Sequence, residues 1–252
     1  MNIDEDRWIR FLHHIVCGLR EAARRINTEP LKSRTQSRPG WFGRAHKGKQ
    51  STRYPLERSI SQALCEVLRD IRASQSIGAP TASTFDLTRM EFATEEPRSS
   101  DIRIGPRAQP TDFMIAVFQD SIDFRVEAKN VLTQGAIKTD YVGSDGLARF
   151  NDPNAPYTLE RFGGMVAYVM SHDASFWSTL VKTALRDVLP RECIKDTFVA
   201  SEVVTTTVHE RDIDIPLRNI KGRFRTEVLH LVLEFEAQPS LRGPPAIKTA
   251  RN

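Results

Sequence analysis

Residues 124–129 read Phe-Arg-Val-Glu-Ala-Lys, and apolar and polar side chains alternate throughout this stretch. Successive side chains of a strand point to opposite faces, so the three apolar residues are expected to enter a core. Arg125, Glu127 and Lys129 then line the other face. The stretch therefore predicts a half-buried strand that carries a carboxylate and an ammonium group side by side.

A second acid stands at the start of another alternating stretch upstream. Residues 100–104 read Ser-Asp-Ile-Arg-Ile, which turns the two isoleucines inward and leaves Asp101 on the polar side. Two acids and a lysine on neighbouring strands are the simplest set that can hold a divalent metal and position a water molecule for attack on a phosphodiester. Asp101, Glu127 and Lys129 are therefore the candidate catalytic residues, with the two acids as metal ligands.

Asp112 offers an alternative first acid. It would lie near Glu127 if residues 112–119 and 122–129 formed a tight hairpin. Three apolar residues share its face of the strand, however, and this pattern indicates burial on both sides. Asp101 is therefore the preferred first acid, and a structure with Asp112 beside the metal would reverse that preference.

The composition predicts a single domain with appendages, because the chain has 252 residues of which 40% are hydrophobic. The three cysteines, Cys17, Cys65 and Cys193, show no paired spacing, so neither a disulfide framework nor a zinc knuckle is indicated and a reducing compartment is expected. The first residues are acidic where a signal peptide would be basic. No apolar run approaches the roughly 18 residues of a membrane helix. We therefore expect a cytoplasmic protein with no membrane partner.

Several common catalytic motifs are missing from the sequence. It contains no GxSxG elbow, no Walker-type phosphate loop, no GxGxxG and no HExxH, and its six histidines do not have metal-ligand spacing. His209 and His230 fall on two predicted late strands and could meet across them. Histidines in such positions are most often ordinary half-buried residues of a sheet.

The positive charge is concentrated in one stretch, the basic segment, which runs from Pro30 to Leu56. It contains seven basic residues and no acidic one, so the net charge of +4 leaves four minus seven, or −3, for the rest of the chain. Such a segment suits a polyanion, to which Trp41, Phe42 and Tyr54 could add base stacking, although a solvated linker has the same composition. The candidate nucleic-acid-binding residues are Arg34, Arg38, Arg44, Lys47, Lys49 and Arg53, together with Arg125 beside the site.

Hydrophobic periodicity predicts three long helices, at residues 4–27, 56–77 and 173–189. In the third, the inward positions are expected to be Phe176, Leu180, Ala184, Leu185 and Val188. Strands are expected near 86–94, 100–105, 112–119, 122–129 and 164–170, with an antiparallel ribbon at 197–209 and 225–236. The domains would be an N-terminal helix with the basic segment at 1–54, a main domain at 55–236 and a disordered tail at 237–252.

The order of a helix, a meander of strands ending in Glu-x-Lys, a helix and a buried strand resembles the common core of the PD-(D/E)XK nuclease superfamily, over roughly residues 55–170. In that superfamily the first acid begins the second core strand and Glu-x-Lys lies on the third. The resemblance thus implies the roles given above to the two acids and the lysine, although the spacing from Asp101 to Glu127 is long. Some members add a glutamate of the first core helix, here Glu57, with Glu66 as the weaker alternative. Later segments look similar to uncharacterised bacterial members.

The resemblance implies an α/β fold with a restriction-endonuclease-like core, in which helices flank a central mixed β-sheet, plus the N-terminal helix and the late β-ribbon. It implies a Mg²⁺- or Mn²⁺-dependent endonuclease that hydrolyses DNA phosphodiester bonds, leaves a 5′-phosphate and serves bacterial restriction or antiviral defence. A homodimer or a larger defence complex is left open. The alternatives are a catalytically inactive nucleic-acid-binding or scaffolding subunit with the same fold, and a structural protein that contacts partners through the late ribbon.

Overall fold

The computed structural model describes residues 5–43, 52–77, 85–94, 111–117, 122–152, 156–199, 202–215 and 220–239. Within these ranges the chain forms a seven-stranded mixed β-sheet with helices on both faces, which confirms the predicted α/β class. The helices are α1 (Glu5–Ile26), α2 (Leu31–Gln36), α3 (Glu57–Ser76), α4 (Gln134–Ala136, continued by a π-helix at Ile137–Tyr141) and α5 (Ala174–Val188), with 3-10 turns at Leu147–Asn151 and Arg191–Cys193. The strands are β1 (Thr52–Arg53), β2 (Glu91–Thr94), β3 (Phe113–Val117), β4 (Ile122–Asn130), β5 (Phe162–Val169), β6 (Ile194–Val199), β7 (Glu202–Ile215), β8 (Ile220–Glu234) and β9 (Gln238–Pro239).

The large sheet has the order β2-β3-β4-β5-β8-β7-β6. Strands β2, β3 and β4 pair antiparallel, and β4, β5 and β8 run parallel to one another. Strands β8, β7 and β6 are again antiparallel. All eight residues of β5 are buried, as expected of a central strand in contact with helices on both faces.

Each face of the sheet supports its own hydrophobic core. The first core lies between the sheet and helices α1 and α3, where the ring of Trp8 stacks on Phe162 at 3.4 Å between centroids. The second core lies under α5 and the π-helix, and its buried residues include Tyr141 and Trp177. Because α1 packs into the same core as α3, the N-terminal helix is an integral layer of the described fold.

The alternation of residues 124–129 is realised in β4. Phe124, Val126 and Ala128 are buried in the first core, so Glu127 and Lys129 face the side of the second core. The strand ends at Asn130, whose backbone N–H donates to the Glu57 carboxylate over 2.7 Å. This contact fixes the first turn of α3 beside the end of β4.

The late strands differ from the prediction in extent and in setting. They are antiparallel, as predicted, but they run over Glu202–Ile215 and Ile220–Glu234 and join the central sheet because β8 pairs with β5. An additional edge strand, β6, precedes them. The predicted strand at 100–105 lies outside the described residues. The predicted tail, 237–252, includes Gln238 and Pro239, which pair antiparallel with Arg53 and Thr52, respectively, so the prediction of disorder is wrong for these two residues.

None of the helices in the described ranges combines the length and the hydrophobicity that a membrane span requires.

Candidate active site

The hairpin formed by β3 and β4 brings two acids face to face. Phe113, the first residue of β3, pairs with Val126, and Asp112 just before it lies close enough to Glu127 for the two charges to interact. Side chains directly opposite on antiparallel strands have their Cβ atoms about 5 Å apart. Asp112 also accepts a hydrogen bond from the backbone N–H of Ala128 over 2.7 Å, which holds its carboxylate against β4.

Lys129 and Glu57 complete the cluster. The Lys129 ammonium donates to Oε1 of Glu127 at 2.6 Å and lies 4.0 Å from Oε1 of Glu57. Both Lys129 and Glu127 are on the same face of β4 because they are two residues apart. Glu57 arrives from the first turn of α3, where Asn130 holds it. The result is one cation among three carboxylates.

The pKa values of the three acids are all raised. Burial is the main cause for each, and the charge of Glu127 raises the pKa of Asp112 further, to well above its usual range. Burial alone would lower the pKa of Lys129, but the charges of Glu127 and Glu57 outweigh it and leave this pKa raised. With every group ionised, the cluster would carry a net charge of −2, and this excess favours a cation or a proton.

The donor set is chemically suitable for a hard divalent cation. Mg²⁺ prefers carboxylate oxygens and keeps several of its waters, so Asp112 and Glu127 would be enough protein ligands. One oxygen of each is engaged internally, Oδ2 of Asp112 by Ala128 and Oε1 of Glu127 by Lys129. In the described part of the chain, no three His, Cys, Asp or Glu side chains already stand in a metal-binding arrangement. An ion would therefore compete with Lys129 for Glu127.

A buried tyrosine next to the cluster was not anticipated from the sequence. The Tyr157 hydroxyl donates to the backbone oxygen of Asp145 over 3.0 Å and also interacts with Glu127 by a hydrogen bond. Tyr157 follows Pro156 in a loop, so no periodic pattern marks it. The signal in the sequence was a single aromatic residue within a loop that contains two prolines.

Of the predicted site residues, the structure brings together Glu57, Glu127 and Lys129. Asp101 lies outside the described residues, whereas the alternative acid, Asp112, stands beside Glu127. The hairpin on which that alternative depended is present. Glu66, the weaker alternative to Glu57, contacts Arg38 and Gln62 instead of the cluster.

Four of the predicted nucleic-acid-binding residues fall within the described ranges. Arg34 and Arg53 are exposed, and Arg38 is paired with Glu66 at 2.5 Å. Arg125 shares the polar face of β4 and is paired with Asp123 at 3.1 Å. Arg44, Lys47 and Lys49 lie outside the described residues. Trp41, expected to stack on bases, is only 4% exposed and belongs to the first core, so this prediction is wrong for Trp41.

The two late histidines form a separate buried network. Thr207 Oγ1 lies 2.8 Å from Nε2 of His209 and 2.9 Å from Nε2 of His230, so the histidines meet through a threonine. Burial lowers the pKa of His209 to about 4 and that of His230 to about 3, so both rings are neutral at pH 7. These contacts join β7, β8 and the π-helix, and they do not involve the carboxylates of the cluster.

Comparisons of the chain with protein-family models, with curated proteins and with solved structures found no match.

Proposed function

We propose that the protein is a Mg²⁺- or Mn²⁺-dependent endonuclease that hydrolyses DNA phosphodiester bonds, with a PD-(D/E)XK-like core. The observation that carries the proposal is the facing pair of Asp112 and Glu127, with Lys129 on the same face of β4. With both acids ionised, this pair would place two like charges next to each other, which destabilises a sheet unless a proton or a cation compensates the charge. A divalent cation would neutralise this charge and would also support hydrolysis.

The topology around the site supports the same proposal. After α3, the chain forms β2, β3, β4, the helical segment at α4 and then β5, with two antiparallel pairings followed by a parallel one. Asp112 immediately precedes the second of these strands, and Glu127 and Lys129 are on the third. This order resembles the one described above for the superfamily, with Asp112 in the position of the first acid.

Each residue would have a distinct role. Mg²⁺ or Mn²⁺ held by Asp112 and Glu127 would lower the pKa of a bound water and neutralise charge on the phosphate. Lys129 is protonated at neutral pH, and its carboxylate neighbours raise its pKa despite its burial, so it can orient a water molecule and stabilise developing negative charge. Glu57 lies within Coulombic range of the ammonium and helps to position it.

A cleavage assay tests the proposal. Purified protein is incubated with plasmid, linear duplex and single-stranded DNA, with Mg²⁺, with Mn²⁺ or with EDTA, alongside Glu127→Gln and Lys129→Met. Glu210→Gln is the matched control, because Glu210 is an exposed carboxylate of β7 that pairs with Arg223. Thermal unfolding confirms that each variant is folded. We expect metal-dependent hydrolysis by the wild type and by Glu210→Gln, and its loss in both site variants.

The other outcomes separate the alternatives. Salt-sensitive DNA binding without hydrolysis, weakened by Arg34→Ala and Arg53→Ala, would favour the inactive binding or scaffolding subunit. Neither binding nor hydrolysis would leave the structural interaction protein as the better hypothesis. The proposal also includes a cytoplasmic location and a role in bacterial restriction or antiviral defence, acting as a homodimer or in a larger complex. Loss of phage resistance on Glu127→Gln in the host would test that role.

A further inference from the structure

Tyr157 lies where it can control the orientation of Glu127. Its side chain is 6% exposed, and its hydroxyl has two acceptors in reach, the backbone oxygen of Asp145 and the Glu127 carboxylate. A phenol has a single proton, so it donates to only one of them at a time. A hydrogen bond to a carboxylate is stronger than one to a neutral carbonyl, which favours Glu127 as the acceptor.

The ring of Tyr157 is held in place on several sides. Phe150 packs edge-on against it at 5.2 Å between centroids, and the guanidinium of Arg149 lies 5.9 Å from its ring centre. Arg149 is itself fixed by an ion pair with Asp145 at 3.0 Å. Phe150 in turn sits over Gly163 of β5, where an added Cβ would come within 2.6 Å of its ring.

The loop after Tyr157 is anchored by a buried cation of β7. Arg211 of β7 is 6% exposed and donates to the backbone oxygen of Thr158, the next residue after Tyr157, and to Thr226 Oγ1 at 2.9 Å. Thr226 donates onward to the backbone oxygen of Glu160 at 3.0 Å. Both acceptors of Arg211 are neutral oxygens. Burying a guanidinium with only neutral acceptors costs stability, and its two hydrogen bonds attach this loop to β7.

We infer that Tyr157 is a positioning residue of the site, which orients the Glu127 carboxylate through its hydroxyl while Arg211 holds the loop that carries it. The inference rests on the proposed function in one respect, namely that Glu127 is taken as a metal ligand. Partners that orient a metal ligand typically contribute a factor of about 10 to 100 in metal affinity. Tyr157 would thus determine how well Glu127 competes for the ion against Lys129.

The test compares Tyr157→Phe with Tyr141→Phe, using Mn²⁺ alone as the probe. Tyr141 is a suitable control because it is also buried, and its hydroxyl contacts Met165 and His230 instead of the acids. Calorimetry gives the Mn²⁺ dissociation constant, and thermal unfolding in EDTA reports on the fold. Crystal structures without metal show the Glu127 conformer. We expect Tyr157→Phe to weaken Mn²⁺ binding about 10-fold and to change the Glu127 conformer, and Tyr141→Phe to do neither.

The crystal structures allow the proposed function and the role of Tyr157 to be tested separately. If the wild type takes up no Mn²⁺, the proposed function fails, and the Glu127 conformer in the two variants still decides whether Tyr157 orients it. If the wild type binds Mn²⁺ but Tyr157→Phe keeps the same affinity and the same Glu127 conformer, the inference is overturned while the proposed function stands.

Discussion

At the residue scale, the central feature is the cost of holding Asp112 and Glu127 opposite each other. A neighbouring pair of like charges weakens a sheet by up to about 1 kcal/mol, and the burial of Glu127 and partial burial of Asp112 add to the penalty. Lys129 offsets part of it through its 2.6 Å contact with Glu127. The part of this penalty that Lys129 does not offset would be relieved by a ligand that neutralises Asp112. The site therefore lowers the stability of the protein and raises its affinity for a cation.

Neutralising Asp112 is therefore expected to stabilise the protein in the absence of metal. The folded-state pKa of Asp112 lies above its unfolded value, so its contribution to stability is present below the unfolded pKa and is lost as the pH rises through the folded pKa. Asp112→Asn, which keeps an acceptor for Ala128, should raise the free energy of unfolding by about 1 kcal/mol at pH 8. Denaturant unfolding in EDTA at pH 8 and pH 4 measures this, with the exposed Asp212→Asn as control. An equal or lower stability at pH 8 would contradict the expectation.

Lys129 and Glu127 should be strongly coupled. Removing the ammonium leaves a buried carboxylate without its cation, so Lys129→Met is expected to lower the free energy of unfolding by about 2 kcal/mol at pH 8. In the double variant with Glu127→Gln, much of this loss should disappear because the unpaired charge is gone. A double-mutant cycle from urea unfolding measures the coupling. Additive effects of the two substitutions would mean that the contact is not formed in solution.

The residues of the site differ in how far local sequence could predict them. The proximity of Glu127 and Lys129 follows from strand periodicity alone, since residues two apart on a strand share a face. The proximity of Asp112 depends on the register of a hairpin, and an apolar neighbourhood argued against it. Tyr157 comes from a loop whose position is set by Arg211, more than 50 residues further along the chain. No local pattern encodes a contact of that kind.

At the element scale, α1 illustrates how a terminal helix becomes part of the core. Its Trp8 stacks on Phe162 and lies 5.9 Å from the ring of Phe124. Trp8→Ala should therefore cost about 3–5 kcal/mol of stability, because it opens a cavity between the helix and the sheet. Ile9→Ala, on the 38% exposed neighbouring residue, should cost much less. Chemical denaturation of both variants checks this, and equal losses would show that α1 is not docked as described.

Periodicity predicted the helices better than it predicted their inward faces. α5 spans Ala174–Val188, close to the predicted 173–189, and Asp173 caps it by accepting from Phe176 N–H at 2.7 Å. Its buried positions include Trp177 and Val181, whereas Phe176 is 39% exposed and Val188 57% exposed, so those two predictions are wrong. Two adjacent stripes of α5 are apolar, and which of them is buried depends on how the helix packs against the sheet. The edge strand β6 was missed because its residues are mostly half-buried or exposed.

At the scale of the whole molecule, the buried histidines are expected to make the free energy of unfolding depend on pH. Both folded-state pKa values are depressed, so the unfolded chain gains protons at pH values where the folded protein does not. The free energy of unfolding should fall as the pH drops from about 6.5 toward 4, by up to about 1.4 kcal/mol per pH unit for each histidine. The raised pKa values of the site acids act in the opposite direction and reduce the net slope.

A single variant isolates the histidine contribution. His230→Gln is expected to reduce the slope of the free energy of unfolding against pH, between pH 6 and pH 4.5, by about 1 kcal/mol per pH unit. Urea unfolding at several pH values measures the slope, with the half-buried surface variant His13→Gln as control. An unchanged slope in His230→Gln would show that this histidine titrates normally in the folded protein.

The short pairing of Thr52 with Pro239 and of Arg53 with Gln238 ties one end of the basic segment to a stretch nearly 200 residues away. Hydrogen exchange at this pairing can therefore report whether a ligand is bound to the basic segment. A polyanion bound to Arg53 should stabilise the pairing and so slow amide hydrogen exchange in the peptide containing Gln238. Mn²⁺ alone should leave this exchange rate unchanged. Deuterium uptake followed by mass spectrometry would thus report DNA capture at the basic segment separately from metal binding at the acids, which this peptide does not sense.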